Sequence, residues 1–314
     1  MATVAEARAA RLAELPFEST VSASPTNVGG FFVAVKEIFS HRELLDLLIR
    51  RELKGRYKDS ALGFLWTLIK PLVQLLIYYV FIGTVLGASR GVPDFAIFVF
   101  SGLTLWGLYS EIIASGTSSI VNNGGLIKKV YLPREIFPLA ATGSAIFNFL
   151  VQMVVLILAV IVLGQVPISL NLLYIPAAFV IVLIWGMAFA ILLSALNVYL
   201  RDIQYLVEVV MLLLFWASPI VYSWTLVVTS VKSHTWLLEV YLLNPISLGI
   251  LAFQRGIWKA GSETRVIDDR TIPPVDWPSY MDFRLIAAAV IGLIVLVIAQ
   301  RIFARLQGNF AQEI

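Results

Sequence analysis

The sequence predicts an all-α, polytopic membrane protein: six transmembrane helices, an amphipathic interface helix ahead of them, and short re-entrant helices between spans five and six. Three observations carry that prediction. Of the 314 residues, 59% are hydrophobic and only 14% charged, against about 25% charged in soluble domains, and the mean hydropathy is +0.88. Six apolar runs lie at about 63–87, 95–115, 139–163, 172–199, 204–222 and 284–304, each near or above the roughly 20 residues an α-helix needs to cross hydrocarbon. None alternates like a barrel strand, and a helix satisfies its own backbone in lipid.

Residues 1–33 hold AEARAARLAEL and then the Ser/Thr/Pro/Gly stretch STVSASPTNVGG. No apolar signal-peptide core follows the early arginines, so a flexible cytoplasmic tail is expected. Over 34–59 the pattern becomes helical. Leu44, Leu45, Leu48 and Ile49 gather on one face, and Glu43, Asp46, Arg50 and Lys54 on the other, as in a helix lying at a membrane surface. The basic cluster Arg50, Arg51, Lys54, Arg56, Lys58 sits where this helix meets the first span and marks that side as cytoplasmic. The membrane domain then occupies 60–306, with 307–314 as a cytoplasmic end.

The connectors set the orientation. Lys128, Lys129 and Arg134 fall in 116–138, Arg201 in 200–203, and Arg301 and Arg305 at the end of the last run, whereas 88–94 holds only Arg90 and 164–171 no Lys or Arg. Six spans with both termini cytoplasmic place every short basic connector inside. The long connector 223–283 then faces outward. Its apolar part is broken at Asn244-Pro245 into pieces too short to cross, which reads as two helices that dip into the membrane and return. The other reading makes 235–258 a further span. The second part, 259–283, carries Pro273, Pro274 and Pro278 and is expected as an exposed loop.

Several function classes are excluded or disfavoured. The chain has no cysteine and only two histidines, His41 and His234, far apart, so thiol chemistry is out and a metal centre is not expected. The net charge of +3 is explained by topology and implies no nucleic-acid partner. Lys70, Glu111 and Glu208 are expected within two to three turns of the cytoplasmic span ends, which weighs against an ion-coupled carrier. Gln74, Asn148 and Gln152 are mid-depth polar groups suited to helix–helix hydrogen bonding. No Gly-Lys dipeptide occurs, so no Walker loop is present. Any energy must enter from a partner. The loop NNGGLIKKVYLPREIFP, 122–138, can receive it: Asn122 and Asn123 can cap a short helix, Gly124 and Gly125 allow a tight turn, and Pro133 can begin a helix before span three. It also reads as an ordinary basic cytoplasmic loop.

The stretches RRELKGRYKDSALGFLWTLIKPL and GGLIKKVYLPREIFPLA, with Ser218-Pro219 and Asn244-Pro245, resemble the permease subunit of type 2 ATP-binding-cassette (ABC) exporters, in the branch exporting lipid-linked polysaccharides (O-antigens, teichoic acids, cell-wall galactan). The resemblance covers nearly all of 36–306. It implies a homodimer in the bacterial cytoplasmic membrane, in contact with membrane lipid, bound to two ABC ATPase subunits that hold ATP and Mg; this chain itself holds no cofactor and is not an enzyme. It further implies that Arg50, Glu52, Lys54 and Arg56 make the first ATPase contact, and Asn123, Leu126, Lys128 and Arg134 the second. The broken connector 223–258 corresponds to extracellular gate helices. For an uncharged polymer an aromatic wall suits passage, since sugar faces lie on rings and hydroxyls meet Tyr or Trp polar atoms. Tyr78, Trp106, Tyr109, Phe147, Phe215 and Trp216 are the candidates, with interfacial belts as the ordinary alternative, which Trp66 and Tyr222 fit. Two rival functions are a drug or small-lipid exporter and a membrane glycosyltransferase or polymerase using Asp268, Asp269 and Asp276 beside Arg265 and Arg270.

Overall fold

The computed structural model describes residues 36–57, 65–85, 87, 92–129, 132–231, 235–267 and 270–314. The expected tail 1–33, Lys58, Arg90, His234 and the Asp268-Asp269 pair lie outside the described residues. Helix α1 spans Arg42–Tyr57. The first membrane segment is α2, Trp66–Ile77 with Pro71 inside it, which continues as a π-helix over Tyr78–Val85. Then come α3 (Phe95–Asn122), the four-residue α4 (Gly124–Ile127) and α5 (Ile136–Val162). A 3₁₀ turn at Leu170–Leu173 leads into α6 (Tyr174–Tyr199), followed by α7 (Ile203–Trp216). The long connector 223–283 folds as α8 (Trp224–Ser230), α9 (Thr235–Leu242), α10 (Pro245–Ile257) and α11 (Lys259–Ser262). Helix α12 (Met281–Leu306) and the short α13 (Phe310–Glu313) complete the order.

Local chemistry sets the helix ends. Helix α5 stops at Gly164, whose φ of 66° is the left-handed conformation a C-terminal glycine supplies; Gly164 N–H donates to the Ile161 carbonyl and Gln165 N–H to the Val160 carbonyl, the Schellman pattern. Helix α10 starts with Asn244 accepting from Ile246 N–H at 3.2 Å, and with Pro245 in its first turn, a position that needs no donor.

Helix α3 is the central post. Most of its residues are buried, and α5, α6 and α10 pack around it. Helices α3 and α6 meet so closely that a methyl on Gly116 would come within 2.5 Å of Ala190 Cβ, the small-residue contact that lets membrane helices approach. The hydroxyls of Ser101, Thr104, Thr117 and Ser119 donate to carbonyls three or four residues back on the same helix, so these four carry no unmet donor into the core.

Two expectations change. The second span was expected to end near 115; the helix runs on to Asn122 because its Ser/Thr run hydrogen-bonds to its own backbone rather than ending it. Glu111 therefore lies about three turns from the helix end, where Asn148 Nδ2 donates to its Oε1 at 2.7 Å, an interhelical bond of the kind expected for Asn148. The fifth span, expected at 204–222, is helical only to Trp216, 14 residues, because Ser218-Pro219 breaks it. Among the described residues five helices are long and apolar enough to cross a membrane, and α9 with α10 forms a pair bent by 84°, so 235–258 is not one straight span.

The broken segment is buried: Ser218 and Ile220 are fully enclosed. Its carbonyls are met by side chains, chiefly from α10. Gln254 Nε2 donates to the Pro219 carbonyl at 2.9 Å, Ser247 Oγ to that of Ala217 at 3.3 Å, and Tyr222 Oη to that of Trp216 at 2.8 Å. Tyr222, expected in an interfacial belt, thus caps α7. Around this end Arg255 lies 4.4 Å over the Tyr174 ring, and Tyr174 Oη donates to Asp282 Oδ1 at 2.6 Å. Arg284 forms a two-pronged bond to Glu239 at 2.8 and 2.9 Å, tying α9 to α12. Among its described residues the expected loop 259–283 contains a small antiparallel pair, Arg265–Ile267 with Arg270–Ile272; just before it in the chain Trp258 donates to the Pro93 carbonyl at 2.8 Å and its ring stands edge-on to Trp277.

Replacing Gln254 with leucine removes the donor to Pro219 without emptying the space. The expected loss is about 1–3 kcal/mol, read as a lower thermal unfolding midpoint in detergent. An unchanged midpoint would show that the broken segment does not lean on α10.

Candidate functional site: a joined platform at the span ends and an aromatic cluster

The two stretches that the sequence marks for partner contact, α1 and the loop around α4, are brought together. Helix α1 lays its apolar face across the start of α5: Leu48 is buried, Ile49 fills the space left by Gly143, and Leu44 and Leu45 pack beside them. Arg51 Nη2 donates to Asn123 Oδ1, and Asn123 Nδ2 donates to the Ser119 carbonyl at 2.7 Å. Asn123 thus holds the helix-capping position without capping, because its oxygen is already taken by Arg51. Asn122, the other expected cap, is the last residue of α3.

Beneath both stretches runs one apolar cluster. It joins Leu48 of α1, Ile127 of α4, Ile136 and Phe137 of α5, Val198 of α6, Phe303 of α12 and Phe310 of α13. With Ile120 of α3 in the same cluster, a force on α1 or α4 meets four long helices, α3, α5, α6 and α12, through direct contacts. Arg50 and Lys54 project outward; Arg50 pairs with Asp46 at 2.8 Å, an exposed i,i+4 pair worth only about 0.3–0.5 kcal/mol. Glu52 is half-buried, and the Arg56 side chain lies outside the described residues. Leu126 is half-buried against the cluster and Lys128 is exposed. Arg134 turns inward, its guanidinium 5.7 Å from the Phe310 ring centre. The sequence reading missed three residues here: Arg51 as the bridge, Phe310 as the anchor of the last helix, and Glu135.

Glu135 sits at the foot of α5 and is only 6% exposed. Burial pushes its carboxyl above the ordinary value, and the nearby Glu37 charge adds to this. A hydrogen bond from its backbone, one from Gln300 and the Arg134 charge act the other way without cancelling it.

Five of the six aromatic candidates form one group. Tyr78 of the π-helical segment stacks on Phe215 of α7 at 6.1 Å, Trp106 of α3 meets the same ring edge-on at 5.6 Å, and Tyr109 and Trp216 extend the group at 6.1 and 5.5 Å. Within the subunit Trp106, Tyr109 and Phe215 are buried, Tyr78 is half-buried, and Trp216 is 54% exposed. Trp216 and Tyr78 therefore present the open faces and the other three back them. Phe147, on α5, is 40% exposed and lies outside this group of described rings. None of the described residues of α2 is buried, so its Leu72, Val73, Leu76 and Ile77 offer a continuous apolar face. Among the described residues no cluster has the His, Asp and Glu needed for a metal ion.

The chain is a helical membrane protein by the length and apolarity of its described helices, and a joined platform lies at one end of its spans. More narrowly, the chain belongs to the ABC-2 type transporter family, whose model matches residues 43–258. It is 27% identical over 280 residues to the O-antigen export system permease protein RfbA of Myxococcus xanthus, covering 89% of this chain and 98% of that protein. It is 28% identical over 226 residues to RfbA of Klebsiella pneumoniae, covering 71% of this chain and 84% of the relative. A shorter likeness, 32% over 84 residues, links it to the polysialic acid transport protein KpsM of Escherichia coli, covering 26% of this chain and 32% of that protein.

The raised Glu135 carboxyl gives a signed pH effect. Folding favours its protonated form, so its stabilising contribution is full below the ordinary value of 4.5 and is lost as pH rises through the higher folded value. Glu135→Gln is therefore expected to raise the thermal midpoint at pH 7, with the gain shrinking toward zero as pH falls below 4.5. A gain independent of pH would assign the effect to packing instead.

Proposed function

We propose that this chain is the membrane permease subunit of an ABC exporter that carries a lipid-linked polysaccharide, O-antigen-like or a cell-wall galactan precursor, out of the bacterial cytoplasm. The observation that carries this reading is the RfbA relative of Myxococcus xanthus, matched along 98% of its length and named for O-antigen export. In this reading two copies of the chain sit in the cytoplasmic membrane with both termini inside and with two ATPase subunits below, which bind ATP and Mg. The exposed apolar faces of α2 and α7 suit contact with the second copy and with lipid.

ATP-driven motion of the ATPase enters through α1 and α4. Because Arg51 and the shared cluster bind these elements to each other and to α5, α6 and α12, they move as one lever rather than two. On the opposite side α9 and α10 dip into the membrane and return, the gate of the exit. Along the path Tyr78 and Trp216 give sugar rings an apolar surface without holding charge, so the polymer is guided and released.

Three measurements test this. Reconstituted alone in vesicles, the chain should transport nothing when ATP is supplied, and with its ATPase it should move lipid-linked polysaccharide only while ATP is hydrolysed; transport by the lone chain on an ion gradient would overturn the reading. Glu52→Arg should reduce co-purification of the ATPase or separate its hydrolysis from export, and normal coupled turnover would remove α1 as the contact. Tyr78→Ala and Trp216→Ala should slow export at normal expression and assembly. Unchanged export would remove the aromatic wall.

A further inference from the structure

A cavity of about 600 Å³ opens between α2, α3 and α5, at the platform end of the spans. Helix α2 contributes Trp66 and Lys70, α3 contributes Glu111 and Ser115, and α5 contributes Asn148 and Gln152. Glu111 lies 11 residues from the end of α3 and Asn148 12 residues from the start of α5, so at 1.5 Å per residue the polar floor is about 16–18 Å inside the helices. Polar side chains at that depth mark a place where something polar is received.

The two walls differ. The α2 wall carries the ammonium of Lys70, which is exposed, and the indole of Trp66, 43% exposed. The facing wall carries a carboxylate, a hydroxyl and two amides. Asn148 already donates to Glu111, which holds the carboxylate on its own side. An ammonium opposite amides and a carboxylate suits a ligand with a phosphate at one edge and sugar hydroxyls at the other, and an indole suits the apolar face of a sugar ring. The volume falls within the range of small-molecule sites and admits one or two sugar units.

Farther along α2 the side chains are mainly apolar: Leu72, Val73, Leu76 and Ile77 are exposed. A second cavity, of about 520 Å³, is lined by Leu72, Leu76, Tyr79 and Phe95 together with Asp94. One helix thus offers a recess with polar groups at one end and an apolar face running on from it. A soluble sugar phosphate would use the recess only, whereas a lipid-borne one would use both.

We propose that the recess between α2, α3 and α5 binds the phosphate-bearing sugar head of a lipid-linked saccharide, with Lys70 on the phosphate, Trp66 and Gln152 on the sugar, and the lipid chain lying along α2. This rests on the export function proposed above and assigns the site at which the cargo is first held within a single subunit.

The test is binding to the full chain in phosphatidylcholine nanodiscs, with three probes: a polyprenyl diphosphate bearing a disaccharide, the same polyprenyl diphosphate without sugar, and a water-soluble disaccharide phosphate. The wild type should bind the first most tightly. Lys70→Gln should weaken both diphosphate lipids by about tenfold or more, and Lys70→Arg should restore most of the affinity. Gln152→Leu should weaken only the sugar-bearing lipid. Each variant is compared after its thermal midpoint is shown to match the wild type. If the wild type binds and exports the lipid-linked saccharide while Lys70→Gln and Gln152→Leu bind it equally well, the recess is not the site and the export function stands. Equal binding of the soluble disaccharide phosphate would overturn the lipid assignment. Failure of the wild type to bind any lipid-linked saccharide, or to move one with its ATPase, would overturn the export function and the site together.

Discussion

In hydrocarbon, no water is available to meet a backbone carbonyl that loses its helical partner, and each such loss is costly. This constraint explains the half of the molecule that holds α9 and α10. Span five is broken at Ser218-Pro219, and a break at that depth survives only because another element brings donors to it. Helix α10 does so with Gln254 and Ser247, and it is itself almost wholly buried against α3 and α6. The sharp return at Asn244-Pro245, the Arg255–Tyr174 contact and the Arg284–Glu239 pair all hold α10 where those donors are needed.

The half that holds the platform obeys a different logic. There water is near, polar groups are cheap, and the binding force is apolar packing. Leu48, Ile127, Phe137, Phe303 and Phe310 come from five separate elements and share one cluster, so surface pieces that are weak alone become a single body. Helix α4 has only four residues and would not persist in isolation, since nucleating a helix costs more than so few hydrogen bonds return. Its order comes from Ile127 below it and Asn123 beside it.

Much of this was legible in the sequence. Five of the six expected spans, and their order, follow from apolar length, because lipid thickness is a fixed ruler. The amphipathic face of α1 and the turn chemistry at Asn244-Pro245 follow from residue type alone. The end of α3 was misread because Ser115, Ser118 and Ser119 look like a polar connector, while in the helix Ser118 and Ser119 donate to their own backbone. The fifth span looked longer than it is because apolar residues continue past Ser218-Pro219. For the site, side-chain chemistry picked out five rings that do cluster, yet composition does not say which face is open. Arg51 was visible only as one of several basic residues, since its bond to Asn123 joins positions 72 apart in the chain.

The brace on span five also sets an order of events during synthesis. Gln254 lies 35 residues beyond Pro219, and at about 5–20 residues per second a ribosome needs roughly 2–7 s to reach it. For that interval the break at Ser218-Pro219 has been made while the side chains that serve it have not. Its carbonyls can settle in hydrocarbon only once the later helix is present beside them.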